Sequence, residues 1–277
     1  MTIELSSKKE LDAIYFGLVL SGYEYATINK PNNIAEITQK IMNYKALGEV
    51  RDFFAMARVK TCEVYPFWPR AALLESALFF MEDGNLDICK YQLYVNGLAN
   101  IDIQERNDSF FSWVKGLPKH LKTIMKDHLF NEVHSQLSAI VSKMDVLNDI
   151  TKLERKLSYM QLEEPINKLS VLICPIKCCY SADYFAGCDE MFVMLGDFLA
   201  HSIVHEYMHL LVHPIVVNHK ARILSDSQDK QLSIDASYYL QDDDGFLNAY
   251  EEYIVRTASE LIATDQEIDL EYLVLQG

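Results

Sequence analysis

Five consecutive residues, His205-Glu206-Tyr207-Met208-His209, carry the strongest chemical signal in the chain. On an α-helix, positions four apart share one face. His205 and His209 can therefore grip one metal ion through their imidazoles. Glu206 sits one position round, within reach of a water on that metal. Zinc held by three protein ligands lowers the pKa of such a water to about 7, and Glu206 can take its proton as the water attacks a carbonyl. The apolar runs Phe198-Leu199-Ala200 and Leu210-Leu211-Val212 flank the motif and imply a buried helix. Burying two histidines and a glutamate is costly without a partner. A metal ion is a partner of the right chemistry.

A catalytic zinc needs a third protein ligand. A histidine six residues past His209 is one solution, but that position is Ile215, and position 212 is Val212 rather than glycine. The other solution is a glutamate on a later helix. Tyr250-Glu251-Glu252-Tyr253-Ile254-Val255-Arg256 offers two. Ile254, Val255, Ala258, Leu261 and Ile262 mark the buried side of that helix, and both glutamates border it. Periodicity leaves Glu251 and Glu252 open. The carboxylate that does not bind the metal reads as solvated or as a support for a ligand. His201 and His213 extend the histidine stripe by one turn each way. They read first as packed or solvated groups, with support of the metal ligands, or for His213 a hydrogen bond to substrate, as the alternatives. Tyr238, Tyr239, His219 and Arg256 are candidate donors to a reaction oxyanion. Arg256 can instead pair with Glu252 or Glu206 and hold a carboxylate in place.

The elements around the motif divide in two. Residues 1–160 read as helices. Ser7 to Glu10 forms a capping box ahead of an apolar run to about Leu20. Asn33 to Glu36 repeats the logic for a helix to about Leu47, with Gly48 as its stop. Further helices are expected at about 50–60, 70–82, 85–96, 106–115, 118–128, 131–147 and 149–160. The aromatic cluster Tyr65-Pro66-Phe67-Trp68-Pro69 reads as a core plug under a loop. After Glu163-Glu164-Pro165 the pattern changes. Leu169–Cys174 and Glu190–Leu195 read as buried strands, with Tyr180–Gly187 as a loop between them. The motif helix is expected over about 198–213, ended by Pro214. An exposed turn at Asp242-Asp243-Asp244-Gly245 precedes a helix from about Phe246 to Ala263. The segment Leu270–Leu275 is a last helix or short strand. The fold class expected is α+β, predominantly helical, with a helical region 1–160 and a smaller region 161–277 holding a small sheet.

Composition bounds the rest. Half of the 277 residues are hydrophobic, so a core is available. No run of about 18 apolar residues exists, so no transmembrane helix is expected. The first ten residues lack the basic-then-apolar order of a secretory signal, which implies a cytoplasmic protein. Six cysteines, Cys62, Cys89, Cys174, Cys178, Cys179 and Cys188, then read as free thiols, and no Cys-x-x-Cys pair supports a second zinc site. The net charge of −15 is uneven: residues 1–160 hold 20 acids and 19 bases, residues 161–277 hold 20 acids and 6 bases. Such a surface repels nucleic acid and anionic membranes. The partner expected is a peptide or protein substrate, with oligomeric state left open.

Residues 190–262 resemble the gluzincin branch of the zincin metallopeptidases. The matching parts are the strand Glu190–Leu195, the helix bearing His205-Glu206-Tyr207-Met208-His209, and Glu252-Tyr253-Ile254-Val255-Arg256. More narrowly, the chain is similar to a poorly characterised bacterial metallopeptidase family that carries His-Glu-Phe-x-His, then Val-Asn-Pro, then Glu-x-[Leu/Ile]-Val-Arg. Here Val212-His213-Pro214 stands for the second motif, with His213 in place of asparagine. The resemblance implies a zincin-like region at 161–277, a Zn2+ cofactor, His205, His209 and Glu252 as metal ligands, and Glu206 as general base. It also implies that Glu190–Leu195 is an edge strand pairing with extended peptide. His205 to Pro214 is also similar to metallopeptidases that cut bacterial or phage repressors, which carry glycine where Met208 stands. The implied function is zinc-dependent peptide hydrolysis. The alternatives are a repressor-cleaving regulatory peptidase, or a non-catalytic zinc protein whose helical region binds a partner.

Overall fold

The computed structural model describes residues 1–64, 71–98, 104–158, 160, 166–187, 189–229, 243–266 and 268–276. The aromatic cluster at 65–69, Glu163-Glu164-Pro165, Cys188, Tyr238 and Tyr239 lie outside them. The fold is predominantly helical α+β. It divides into two compact units, one of residues 3–146 and 168–198, the other of residues 1–2, 147–167 and 199–277. Among the described residues, no helix is long and apolar enough to cross a membrane.

The first unit is built around helix α1 (Lys9–Leu20), in which every residue from Leu11 to Leu20 is buried. A helix apolar on all sides belongs in the middle of a core. Gly17 is needed there, because a Cβ would lie 2.4 Å from the ring of Phe54 on helix α3 (Gly48–Ala55). Helix α2 (Asn32–Met42) buries Ile34, Ile37, Thr38 and Ile41, one stripe at helical spacing. Around these lie α4 (Ala57–Cys62), α5 (Ala72–Ala77), α6 (Ile88–Leu98), α7 (Gln104–Val114), α8 (Leu117–Met125) and α9 (His128–Val141). Asp127 caps α9, its side chain accepting from the Phe130 amide at 3.1 Å. The expected capping box at Ser7 does not form. Lys8 is the N-cap of α1 without a side-chain bond, and the Ser7 hydroxyl sits 3.1 Å from that of Ser138. Likewise α2 starts at Asn32 behind Pro31, and Gly48 opens a helix rather than closing one.

Where one helix was expected over 70–82, α5 gives way to a 3-10 turn and the hairpin of β2 (Met81–Glu82) and β3 (Asn85–Leu86). Asp83 and Gly84 turn it with φ of 50° and 71°, the backbone an Asp-Gly hairpin turn demands. The sheet of this unit has the order β1-β4-β6-β5, from β1 (Thr2–Ser6), β4 (Lys168–Ile173), β5 (Asp183–Ala186) and β6 (Glu190–Leu195). Strands β4 and β6 are parallel and pair Lys168 with Glu190 through Ile173 with Leu195. Both read as near-continuous apolar runs, as parallel central strands do. The expectation of an edge strand at Glu190–Leu195 is corrected: β5, in the stretch expected to be loop, pairs antiparallel with its other side. Both ladders of β6 are thus occupied, and β6 itself offers no edge to a peptide.

The second unit contains α10 (Leu147–Ser158), α11 (Ala200–Asp229), α12 (Asp243–Ala263) and α13 (Leu270–Gln276). Helix α11 runs 30 residues and passes through Pro214 instead of ending there. A proline inside a helix removes one backbone bond and crowds the preceding turn. Packing of α11 against α12 and α13 along its length offsets that cost. Of the turn expected at 242–245, Asp243, Asp244 and Gly245 belong to α12, and Asp242 lies outside the described residues.

Candidate metal centre

Helix α11 buries Ile203, Val204, Tyr207, Met208 and Val212, and α12 buries Tyr250, Ile254, Val255 and Ala258. Burial of these two stripes fixes the rotation of each helix. The histidines of α11 and the glutamates of α12 then fall at the seam. His205, His209 and Glu252 have side chains only 12%, 15% and 12% exposed.

Their donor atoms converge. Nε2 of His205 and Nε2 of His209 each lie 3.5 Å from Oε2 of Glu252. One atom from each residue can be chosen so that all three lie within 4.8 Å of one another. Zinc with ligand bonds of about 2.0–2.1 Å in tetrahedral array sets donors about 3.3 Å apart. Two imidazole nitrogens and a carboxylate oxygen are a donor set suited to a divalent transition metal, and the two 3.5 Å separations are close to that spacing. Among the described residues this is the group of His, Cys, Asp or Glu side chains placed to share an ion.

The neighbours fix the donors. Glu251 turns the other way, its Oε1 2.8 Å from Nδ1 of His209 and its Oε2 2.8 Å from Nδ1 of His213. A hydrogen bond at Nδ1 leaves Nε2 of His209 to face Glu252. Arg256 donates from Nε to Oε1 of Glu252 at 2.7 Å, one turn along α12. That bond leaves Oε2 toward the histidines. Glu206 is buried at 3% exposure, and its charge acts on His209. The sequence left Glu251 and Glu252 equivalent at the level of periodicity. The structure puts Glu252 with both Nε2 atoms and Glu251 behind His209.

Other expected groups fall elsewhere. His201 is exposed. His213, expected to be packed or solvated, shares the Glu251 carboxylate while its side chain is 59% exposed. His219 faces Glu271 at 3.3 Å and Arg256 is engaged by Glu252. The described cysteines are free thiols, with Cys174 and Cys178 buried. The sequence marked His213, by its four-residue spacing, and the glutamate left off the metal as candidate supports of the ligands. That Glu251 links His213 to His209 comes only with the packed helices.

Burial alone would lower the pKa of His209, but hydrogen bonds to Glu251 and Glu252 and the charge of Glu206 outweigh it and raise it to about 9. Burial likewise works against ionised Glu252, yet His205 and His209 hold it far below the usual carboxylate range. The folded value of His209 lies above the ordinary imidazole value near 6.5. Its protonation therefore stabilises the metal-free fold fully below about pH 6.5, and this contribution is lost as pH rises through about 9. A proton NMR titration of chelator-treated protein is expected to place the His209 midpoint near 9. Glu251→Gln should lower it by about one unit. A wild-type midpoint at 6.5 would show that the carboxylates do not hold this ring.

No protein-family profile matches the chain, and no curated protein or solved structure matches it.

Proposed function

We propose that the chain is a zinc-dependent peptidase acting on peptides or an unfolded protein segment, with His205, His209 and Glu252 as ligands. The observation that carries the reading is the meeting of both Nε2 atoms at Oε2 of Glu252, 3.5 Å each, beside buried Glu206. Two imidazoles and one carboxylate match the three-donor set of catalytic zinc sites. Zinc, when bound, supplies Lewis acidity that polarises a carbonyl and acidifies water. The chain's own part is positioning and proton transfer. Arg256 and Glu251 fix the ligands, and Glu206 takes a proton and returns it to the leaving amine.

Metal analysis tests the reading. Purified wild type should carry about one zinc per chain. His205→Ala and His209→Ala should each lower zinc affinity by more than about a hundredfold, beyond what loss of a supporting residue costs. Circular dichroism checks that the helices persist. Wild-type zinc in both folded variants would refute the site.

A further inference from the structure

The segment 109–126 carries four lysines, Lys115, Lys119, Lys122 and Lys126, and no acidic residue, in a chain with 40 acids and 25 bases. Their spacings of four, three and four set them in one stripe along α8 and its two flanks. At the helical rise the stripe is about 16 Å long. The opposite side of α8 is buried through Leu117, Leu121 and Ile124, and all four lysines are exposed. An amphipathic helix always turns a polar side to water, so the stripe alone is not a site.

Three further features make it one. The lysines line a groove of about 670 Å³ whose other side includes Asn85 and Leu86 of β3. That volume is in the range of small-molecule sites. The hairpin turn also comes up against a lysine: the end of Lys122 reaches the backbone at Gly84, where a Cβ would lie 2.8 Å from Cε and 3.1 Å from Nζ. Finally, the charge is left largely uncompensated. Lys119 meets Glu49 at 3.3 Å with both side chains over two-thirds exposed, a contact worth little. Among the described residues, Lys115, Lys122 and Lys126 make no ion pair. Lys119 also stands in the first turn of α8, where the helix dipole disfavours a cation.

We propose that this groove binds a compact anion carrying several phosphates, free or as the headgroup of a lipid. Ammonium groups act as point charges and suit phosphate oxygens without fixed direction. Leu86 and Pro118 are the apolar residues of the lining, and it presents no aromatic ring for a nucleobase to stack on. The ligand is thus read through its phosphates. The net charge of the chain disfavours anions at long range, but salt screens that field beyond about 10 Å, and the stripe acts at contact.

Calorimetric titration of inorganic tripolyphosphate into the full chain tests this. One saturable site is expected, weakening as salt is raised. Each single Lys→Gln change at 115, 119, 122 or 126 should weaken binding by roughly fivefold, and the quadruple variant by more than about a hundredfold. Glu49→Gln removes the competing carboxylate and should strengthen binding by about twofold. Lys45→Gln with Lys143→Gln, exposed lysines elsewhere, should leave it unchanged. Vesicles containing phosphatidylinositol bisphosphate, set against the soluble headgroup, separate the sources. Much tighter vesicle binding assigns the lipid, and equal binding assigns the free anion. Two results overturn the proposal: no saturable binding of tripolyphosphate, headgroup or vesicle, or a folded quadruple variant that binds like wild type.

Discussion

Glu206→Gln is expected to lower peptide hydrolysis by roughly a hundred- to ten-thousand-fold while zinc stays bound. Glutamine keeps the size of the side chain and its capacity to hydrogen-bond, but it cannot accept a proton. Glu206 is buried on α11 between its two histidine neighbours, where its charge already acts on His209. It shares no donor position with His205, His209 and Glu252, so its loss should leave the metal in place. The assay first requires chelator-sensitive cleavage of a peptide library by wild type. Equal rates for Glu206→Gln and wild type would exclude Glu206 as the base. A zinc-loaded wild type that cleaves nothing across a broad library would favour a zinc protein without turnover.

How much of this was legible in the sequence depends on the range of the interaction. The approach of His205 to His209 follows from helix geometry alone and needs no tertiary information. Which glutamate faces them depends on how far α12 is rotated against α11. Glu251 and Glu252 are adjacent and both border the same apolar stripe, so the rotation came only with the packed pair. The strands Lys168–Ile173 and Glu190–Leu195 were readable as apolar runs bounded by turn residues. Asp183–Ala186 was not, because four residues are too few to show alternation. It becomes a strand because β6 offers it a ladder. Pro214 misled for a related reason. Its local penalty is about 3 kcal/mol, which a long helix packed on two neighbours can absorb. The change of charge near residue 160 shows that composition shifts, but says nothing about which helices the strands will join.

Least legible was Lys177, one charge in a stretch of proline and cysteine, whose partners Glu75 and Tyr15 lie 102 and 162 residues away. Its side chain and that of Glu75 are wholly buried. The Nζ donates to Glu75 Oε1 at 2.7 Å, to Asp183 Oδ2 at 2.6 Å and to the Tyr15 hydroxyl at 3.0 Å, using all three ammonium protons. Tyr15 in turn donates to Glu75 at 2.6 Å, and Ser181 to Asp183 at 2.9 Å. The network ties the β4–β5 connection to α1 and α5. Burial disfavours the charge on Lys177, but Asp183 and Glu75 outweigh it and hold the amine protonated. Burial pushes Glu75 up to about 8, against the pull of Lys177. Its Oε2 is buried without a hydrogen-bond partner.

Lys177→Met keeps most of the volume and removes the charge, leaving the carboxyl groups of Glu75 and Asp183 without their cation. Breaking a buried ion pair from one side costs about 3–5 kcal/mol. Urea unfolding followed by the fluorescence of Trp113, which belongs to the same unit, should show that loss near pH 8. Because the folded value of Glu75 is raised, its contribution to stability is present below about pH 4.5 and lost as pH rises through about 8. In Lys177→Met the downward pull of Lys177 on Glu75 is gone, so Glu75 moves higher still and the deficit should shrink as pH falls and its carboxyl is neutralised. Replacing all three charges together, as Lys177→Met with Glu75→Gln and Asp183→Asn, should recover much of the loss. A deficit for Lys177→Met below about 1 kcal/mol at pH 8, the range of an exposed pair, would mean that the network does not hold this unit together.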